Sequence, residues 1–281
     1  MRKQLGQQML PILTLADYRQ AVEALKSRLT GDARATALAF EVEQLVRFES
    51  EHGIDIQERL AAQLCAPALP PGQRVALISD IHGNYAGLAA VLSDIENQRC
   101  DRIICLGDLV DGGPDDEQVV ATLQQRAIPC VRGNHDENND LALLAATQEF
   151  LLSLPSRIVE GEILYVHISP RPIQRKIDRE VEAWNVFDET HYRLVFTGHV
   201  HIPLIFGQRC TAYGEATRHQ FEYNKPFALS RDDRYIVSVG SVGYGRDNVG
   251  KLRYAIHDRA ANTIEFRAVA GPLLRLDHAL R

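Results

Sequence analysis

The stretch that decides the fold reads RVALISDIHGN and spans Arg74–Asn84. It begins with a short run of β-branched and other apolar residues, which is typical of a buried strand. The run leads to two side chains able to bind a metal ion, Asp80 and His82, and a helical pattern follows from Asn84 to about Ile95. A strand that ends on polar side chains and leads into a helix is typical of α/β proteins, in which ligands bind beyond the carboxyl ends of the strands.

The same order of strand and helix is repeated twice further along the chain. RIICLGD predicts a second strand that ends at Asp108, and a helix begins near Pro114, because proline suits the first helical turn. AIPCVRGNHD, residues 127–136, predicts a third strand, and another helix follows over about 141–152. This β-α-β-α order predicts a largely parallel sheet covered by helices.

After Arg157 the pattern becomes mostly β. The strand-like runs are ILYVH, LVFTGH, PLIFG, RYIVSVG, LRYAIHD and TIEFRAV. We therefore predict an α/β fold of the αββα sandwich type, in which two mixed β-sheets pack together and are flanked by helices.

The first 65 residues read as helical. The stretch APALPPGQ, residues 66–73, carries three prolines and one glycine and predicts a linker. We therefore predict a helical N-terminal extension over 1–70 and a separate α/β domain over 71–281. The broad apolar face predicted within 33–52 favours packing of the extension against its own domain, and a homo-oligomer formed through these helices is the alternative.

Composition limits the class of protein. Apolar residues make up 45% and charged residues 24% of the 281 residues, as in globular proteins. The net charge of −6 argues against a general binder of nucleic acid or membrane surfaces. No apolar run reaches the roughly 18 residues of a membrane span, and the N-terminus does not read as a signal peptide. The five cysteines show no CxxC spacing, so we predict free thiols in the cytoplasm.

Five strand-like runs end on side chains able to bind a metal ion. If the strands are neighbours, seven nitrogen and oxygen donors converge in one crevice. These donors are Asp80, His82, Asp108, Asn134, His167, His199 and His201. Two carboxylates, four imidazoles and an amide, without a thiolate, favour Mn, Fe, Ni, Co or Zn over a structural zinc cluster. Seven ligands are too many for one ion, so the set predicts two divalent ions that share a carboxylate.

The spacing within the set carries further predictions. In a strand, residues i and i+2 point to the same side, so Asp80 with His82, and His199 with His201, are each expected to present two donors together. Asp108 is the natural shared carboxylate, because the preceding Gly107 has no side chain to keep ions and backbone apart.

These blocks resemble the calcineurin-like metallophosphoesterases, whose signature is D-X-H, GD-X-X-D, GNH[DE], a lone His and GH-X-H. All five stand here in order as SDIHGN, GDLVDGG, GNHD, VH and GHVH, within about 74–270. The resemblance implies that one ion is held by Asp80, His82, Asp108 and His201. It implies that the second is held by Asp108, Asn134, His167 and His199. A hydroxide that bridges the ions would be the nucleophile, and we expect Mn to be favoured.

The resemblance also implies roles for the residues of GNHD. His135 would face the phosphate with Asn134, where it stabilises negative charge or protonates the leaving oxygen. Asp136 would be the partner that orients this imidazole. Asp111 is either a hydrogen-bonding partner behind the ligands or a plain turn residue.

A second resemblance concerns GSVGYGRD, residues 240–247. It is similar to the glycine-rich loop of the small bacterial phosphodiesterase branch of the same family. The similarity implies that Arg246 clamps a phosphate oxygen, because a guanidinium fork matches phosphate geometry. Tyr244 would stack on a base or line the pocket.

We therefore expect a dinuclear phosphoesterase that hydrolyses a small phosphodiester or nucleotide. A protein Ser/Thr phosphatase or a dinucleoside polyphosphate hydrolase is the alternative, although protein phosphatases and symmetrical hydrolases carry an arginine where Gly112 stands here. A non-catalytic scaffold on the same fold is a distant alternative, because His135 is present. The expected partner is a small phosphorylated molecule, and overall acidity argues against a long nucleic acid.

Overall fold

A computed structural model describes residues 73–171, 173–208, 216–247 and 250–274. The helices predicted over 1–70, and any homo-oligomer that they form, lie outside the described residues. The boundary between 70 and 71 stays a prediction for the same reason.

The described residues form eleven strands and five helices. In chain order they are β1 (Arg74–Ile78), α1 (Tyr85–Asn97), β2 (Arg102–Cys105), α2 (Asp116–Gln125), α3 (Asn134–Glu137), α4 (Ala145–Ser153), β3 (Arg157–Glu160), β4 (Ile163–Val166), α5 (Glu180–Glu189), β5 (Leu194–Thr197), β6 (Pro203–Gln208), β7 (Thr217–Arg218), β8 (Pro226–Ala228), β9 (Arg234–Val239), β10 (Leu252–Asp258) and β11 (Thr263–Val269).

The first sheet has the strand order β2-β1-β10-β11-β8. Only β1 and β2 are parallel in it, and β10 pairs antiparallel with β1, so the expectation of a largely parallel sheet is wrong. The third predicted strand is reduced to a single parallel bridge between Cys105 and Cys130. The pairing stops there because the next amide on the β2 side, that of Gly133, donates to the Asp136 carboxylate at 2.8 Å instead.

The second sheet has the order β3-β4-β5-β9-β6-β7. β4, β5 and β9 run parallel, and the remaining neighbours are antiparallel. Both sheets are therefore mixed, as predicted. The carboxyl ends of β4 and β5 lie side by side, so the residues that follow them are neighbours in space.

The two sheets pack face to face through alternate residues of their strands. Val75 and Leu77 of β1 lie in one buried cluster with Phe196 of β5 and Val237 of β9. The opposite face of the first sheet packs against α1 and α2, and the outer face of the second packs against α5. The predicted αββα sandwich is therefore confirmed. Each large apolar side chain buried here contributes about 1.5–3 kcal/mol.

Several elements differ from the sequence-based expectation. α1 begins after Asn84, whose side-chain oxygen accepts the Gly87 N–H at 3.0 Å and so caps the helix. β7 and β8 have only two and three residues, too few to show a period of two, and they were not predicted. β3, with four residues, was also missed. α5 was also missed, although its buried residues Ala183, Val186 and Phe187 have helical spacing.

No helix within the described residues is long and apolar enough to cross a membrane. Among the same residues, Cys100, Cys105 and Cys130 are free thiols.

Candidate metal centre

The donor atoms predicted from the sequence converge at one edge of the sandwich. They form two groups, and within each group the donor atoms lie within 4.8 Å of one another. The first group is Asp80, His82, Asp108 and His201. The second contains Asp108, His167 and His199. This division is the one that the family resemblance implies, and Asp108 belongs to both groups.

The first group brings ring nitrogens and a carboxylate oxygen within hydrogen-bond distance of one another. Nε2 of His82 is 3.2 Å from Nε2 of His201, which is 3.1 Å from Oδ1 of Asp80. Nδ1 of His82 lies 2.9 Å from the carbonyl oxygen of Asp111. A carbonyl only accepts, so this Nδ1 carries the hydrogen, and Nε2 of the neutral ring presents a lone pair. Buried lone pairs and a carboxylate that converge in this way fit a cation.

The second group has the same character. Nε2 of His167 lies 3.1 Å from Oδ2 of Asp108 and 3.1 Å from Oδ1 of Asn134. The same Asn134 oxygen is 3.0 Å from Nδ1 of His199, so Asn134 joins this group as expected. Nδ1 of His167 donates to the carbonyl oxygen of Leu106 at 2.7 Å, which leaves its Nε2 directed into the group.

Asp108 connects the two groups through one oxygen. Its Oδ2 lies 3.7 Å from Nε2 of His82 and 3.1 Å from Nε2 of His167. Its Oδ1 accepts the backbone N–H of His135 at 2.9 Å. One carboxylate oxygen therefore faces a histidine from each group, which is the arrangement that a shared ligand requires.

The electrostatics of the cluster favour positive charge. Burial would raise the pKa of Asp80, but the adjacent His201 and, to a smaller extent, His167 together hold the pKa below its ordinary value. Burial lowers the pKa of His167, yet the Asp108 carboxylate raises it to about 9. Burial, and then His167, lower the pKa of His199 to about 4. Ionised carboxylates beside a neutral His199 form a site for cations.

The donors reach the centre on loops and not on strands, so the prediction based on strand pleating is wrong. β1 ends at Ile78 and β5 at Thr197, before the donors begin. Instead, the donors of each pair have left-handed backbone, with φ of 53° and 52° at Asp80 and His82 and 67° and 61° at His199 and His201. The left-handed region costs an L-residue roughly 1–2 kcal/mol. Hydrogen bonds such as His199 N–H to Asp80, at 3.0 Å, hold these loops in place.

Glycines bring the loops close together. Gly107 has φ of +91°, and a Cβ there would lie 2.7 Å from the backbone nitrogen of Gly133 and 3.0 Å from Nδ1 of His167. Gly133 in turn lies against Asp108, whose Oδ1 and backbone nitrogen a Cβ would overlap. Both positions need glycine because the loops that carry Asp108, Asn134 and His167 meet there.

The predicted partnership of Asp136 with His135 is wrong. The buried carboxylate of Asp136 accepts the N–H groups of Gly133 at 2.8 Å, Asp108 at 2.9 Å and Leu109 at 2.7 Å. It therefore fixes the backbone beneath the site and points away from the imidazole. Burial, and then the charge of Asp108, raise the pKa of Asp136 to about 6.

The partner of His135 is Asp111, for which the sequence left two interpretations open. Nδ1 of His135 lies 2.7 Å from Oδ2 of Asp111. The carboxylate is itself placed by its backbone, because the Asp111 N–H donates to Asp116 at 3.0 Å and φ is 71°. The GD-X-X-D spacing was the available signal for this residue.

A cavity of about 270 Å³ opens beside the two groups. It is lined by Asp108, His135, Lys176, Asp178, His199, Val200, His201, Ile202 and Arg246. Arg246 and His135 thus line the cavity, where the sequence predicted contacts with substrate. Asn134, the third predicted contact, is not among the lining residues, and its Oδ1 lies beside His167 and His199. Lys176 was not predicted. The sequence feature that could have indicated it is the basic stretch before α5, because four of the residues 168–179 are Lys or Arg.

Comparison with known proteins identifies the family. The model of the calcineurin-like phosphoesterase superfamily domain matches residues 74–262, so the chain belongs to this superfamily. The family and the buried cluster of aspartates and histidines together indicate that the protein binds divalent metal ions. The fold and family predictions are confirmed.

Individual relatives agree with this assignment. The chain is 31% identical over 222 residues to an uncharacterized protein of Methanocaldococcus jannaschii, covering 68% of this chain and 85% of that protein. It resembles the crystal structure of a metallophosphoesterase from Sphaerobacter thermophilus with a TM-score of 0.63 and 31% identity, covering 73% and 90% of the two chains. A hypothetical protein from Pyrococcus horikoshii, with a TM-score of 0.53, 17% identity and coverage of 71% and 88%, shares the fold.

Proposed function

We propose that the protein is a dinuclear-metal-dependent phosphoesterase that hydrolyses a small phosphodiester or a nucleotide. The observation that carries this proposal is the shared position of Asp108 between two donor groups, with His135 at the adjoining cavity. Two divalent ions at these groups would supply Lewis acidity and a water of lowered pKa, as in other two-metal hydrolases. The nitrogen and oxygen donor set admits Mn, Fe, Ni, Co or Zn, and of these we propose Mn.

His135 is proposed to be the acid that protonates the leaving oxygen. Its side chain is 40% exposed and lines the cavity, and its Nδ1 is held by Asp111. Because Asp111 holds Nδ1, Nε2 is the ring nitrogen left to pass a proton to an ester oxygen. His135 therefore has both a fixed orientation and access to a substrate.

The cavity wall supports a small organic phosphate as the substrate. Arg246 and Lys176 line the cavity and provide positive charge for phosphate oxygens. Nζ of Lys176 lies 2.7 Å from Oδ2 of Asp178, which is another residue of the lining. Val200 and Ile202 form an apolar part of the wall, which suits the organic group of an ester. We also infer a cytoplasmic location, which the free thiols among the described residues support.

The deciding experiment compares bis-p-nitrophenyl phosphate with p-nitrophenyl phosphate in the presence of Mn²⁺. We expect diester turnover by the wild type and a loss of about 100-fold or more in His135→Ala, the size of a general acid's contribution. His191→Ala, an exposed histidine outside the cavity lining, is the matched control and keeps full activity. Turnover of the monoester alone would move the assignment to a phosphatase. No turnover with two bound ions would contradict the proposal for these substrates.

A further inference from the structure

Tyr244 packs against two histidines of the first donor group. It is 5% exposed, and its ring centroid lies 5.2 Å from that of His82 and 5.8 Å from that of His201. The ring is nearly parallel to His201, with an interplanar angle of 16°, and meets His82 edge-on at 64°. Tyr244 therefore contacts the rings themselves and does not line the cavity.

The two histidines differ in how their rings are held. The His82 ring is fixed by its hydrogen bond to the carbonyl of Asp111, as His167 is fixed by Leu106. Nδ1 of His201 is buried and has no hydrogen-bond partner among the described residues. Apart from the 3.1 Å contact between its Nε2 and Oδ1 of Asp80, its orientation depends on packing, and Tyr244 supplies a parallel aromatic face.

Gly112 makes room for the tyrosine. A Cβ at residue 112 would lie 2.6 Å from Oη of Tyr244 and 2.9 Å from Cβ of His82. A side chain at this position would need the volume that the phenol of Tyr244 and the Cβ of His82 already fill. Gly112 and Tyr244 are thus complementary in shape.

The loop that carries Tyr244 is anchored at both ends. Near its start, the hydroxyl of Ser241 donates to the carbonyl of Asp80 at 2.8 Å and accepts the Tyr244 N–H at 2.8 Å. At its far end, Asp247 accepts Nε of the buried Arg253 at 2.6 Å and the hydroxyl of Tyr223 at 2.7 Å. The backbone at Tyr244 is therefore fixed, and Ser241 connects it to the loop that carries Asp80.

We propose that Tyr244 is a positioning residue for the first donor group, where its ring holds His201, and with it His82, in the orientation that a cation needs. Gly112 provides the room for that ring. The inference rests on the proposed function, because it concerns ion binding at this group. It adds a residue that acts through the ligands and touches neither ion nor substrate.

The test is a titration of the metal-free protein with Mn²⁺, in which the electron paramagnetic resonance signal of free Mn²⁺ gives the number and affinity of bound ions. We expect the wild type to bind two ions. Tyr244→Leu should weaken one binding event by about 10-fold or more, as loss of a group supporting a ligand does, and leave the other unchanged. Tyr244→Phe keeps the ring and should bind as the wild type does. Val242→Ala, a buried residue of the same loop, controls for loosening of the loop.

The outcomes separate the two proposals. A wild type that binds no Mn²⁺ overturns the proposed function. A wild type that binds two ions, together with a Tyr244→Leu variant of equal affinities, overturns only the role of Tyr244. If Tyr244→Leu does not fold, Gly112→Ala decides. The alanine should weaken the same binding event, and less so in the Tyr244→Phe background, where the Oη contact is gone. An equal loss in both backgrounds would contradict the complementary pair.

Discussion

Asp111 and Asp136 lie near each other at the residue scale, but their carboxylates have different partners. Asp111 lies 2.7 Å from Nδ1 of His135, whereas Asp136 is buried and accepts three backbone N–H groups. The sequence indicated Asp136 as the partner of His135 because the two are adjacent. Adjacent side chains on a helical turn point in different directions, so His135 and Asp136 cannot easily meet each other. Only the fold shows that His135 contacts Asp111.

Asp111→Asn is expected to lower kcat while the fold and the metal content remain intact. The amide keeps the shape of the carboxylate but loses the charge that orients the imidazole, and supporting groups of this kind are worth about 10- to 100-fold. The measurement is kcat for the diester together with bound Mn²⁺ and the thermal midpoint. A large fall in the midpoint would indicate a structural role instead.

Asp136→Asn is expected to act on stability. The amide replaces one carboxylate oxygen by an N–H donor, which then faces either the N–H groups of Gly133 and Asp108 or the N–H group of Leu109. Each buried group left without a partner costs about 1–3 kcal/mol. Urea unfolding followed by circular dichroism measures the loss. A variant as stable as the wild type but catalytically impaired would restore the role of Asp136 as partner of His135.

At the scale of elements, the loops after the strands determine the site. The sequence predicted most of the strands of both sheets and placed the donors after β1, β2, β4 and β5, because apolar runs that stop at polar residues are readable. It did not predict the left-handed backbone at Asp80, His82, His199 and His201. Backbone angles of this kind result from contacts between loops that are distant in sequence, so no local pattern reveals them.

Gly107→Ala is expected to disrupt the second donor group. A Cβ would meet Gly133 and His167 from a left-handed residue, so both strain and overlap oppose it. The matched control is Gly161→Ala, which has φ of +61° but nothing within 4 Å of the added Cβ. The control should lose only the roughly 1–2 kcal/mol of the backbone strain. Equal losses of unfolding free energy and of Mn²⁺ binding in the two variants would contradict the close approach at Gly107.

At the scale of the whole molecule, the two sheets supply different parts of the metal centre. Asp80, His82, Asp108 and Asn134 follow strands or the bridge of the first sheet, and His167, His199 and His201 follow strands of the second. Bound ions would therefore join the sheets at one edge of the sandwich. Ligands that bind only the folded protein stabilise it by mass action.

Mn²⁺ is accordingly expected to raise the thermal midpoint, and a chelator to lower it again. At an ion concentration 100 times the dissociation constant, one site contributes about 2.7 kcal/mol. His135→Ala should show the same shift, because His135 lies outside both donor groups. A midpoint that does not respond to Mn²⁺ would count against ions at the junction of the sheets.

A second whole-molecule prediction concerns His257, which is buried between the sheets 5.3 Å from the ring of Phe196. Burial, and then the charges of Arg259 and Arg193, lower its pKa to about 3. The folded protein therefore keeps His257 neutral, and its stability is complete above the ordinary pKa of about 6.5 and falls as the pH drops towards 3. At pH 5 the expected loss is about 2 kcal/mol.

Urea unfolding of wild type and His257→Leu at pH 7.5 and pH 5 measures this effect. The variant is expected to be less sensitive to pH by the same amount, because leucine does not titrate. If both proteins lose equal stability between the two values, the pH dependence arises from other groups.

The position of Asp108 in both donor groups has a consequence for metal uptake under the proposed two-metal function. Two ions that draw on one oxygen cannot bind independently, and thermodynamic linkage requires each to change the affinity of the other by the same factor. Binding of one ion therefore changes the affinity for the other, because the first ion neutralises part of the charge of Asp108 and orders the histidines that face it. The pair of ions held at equilibrium would therefore be set by the joint affinity for both ions and not by the affinity of each donor group taken alone.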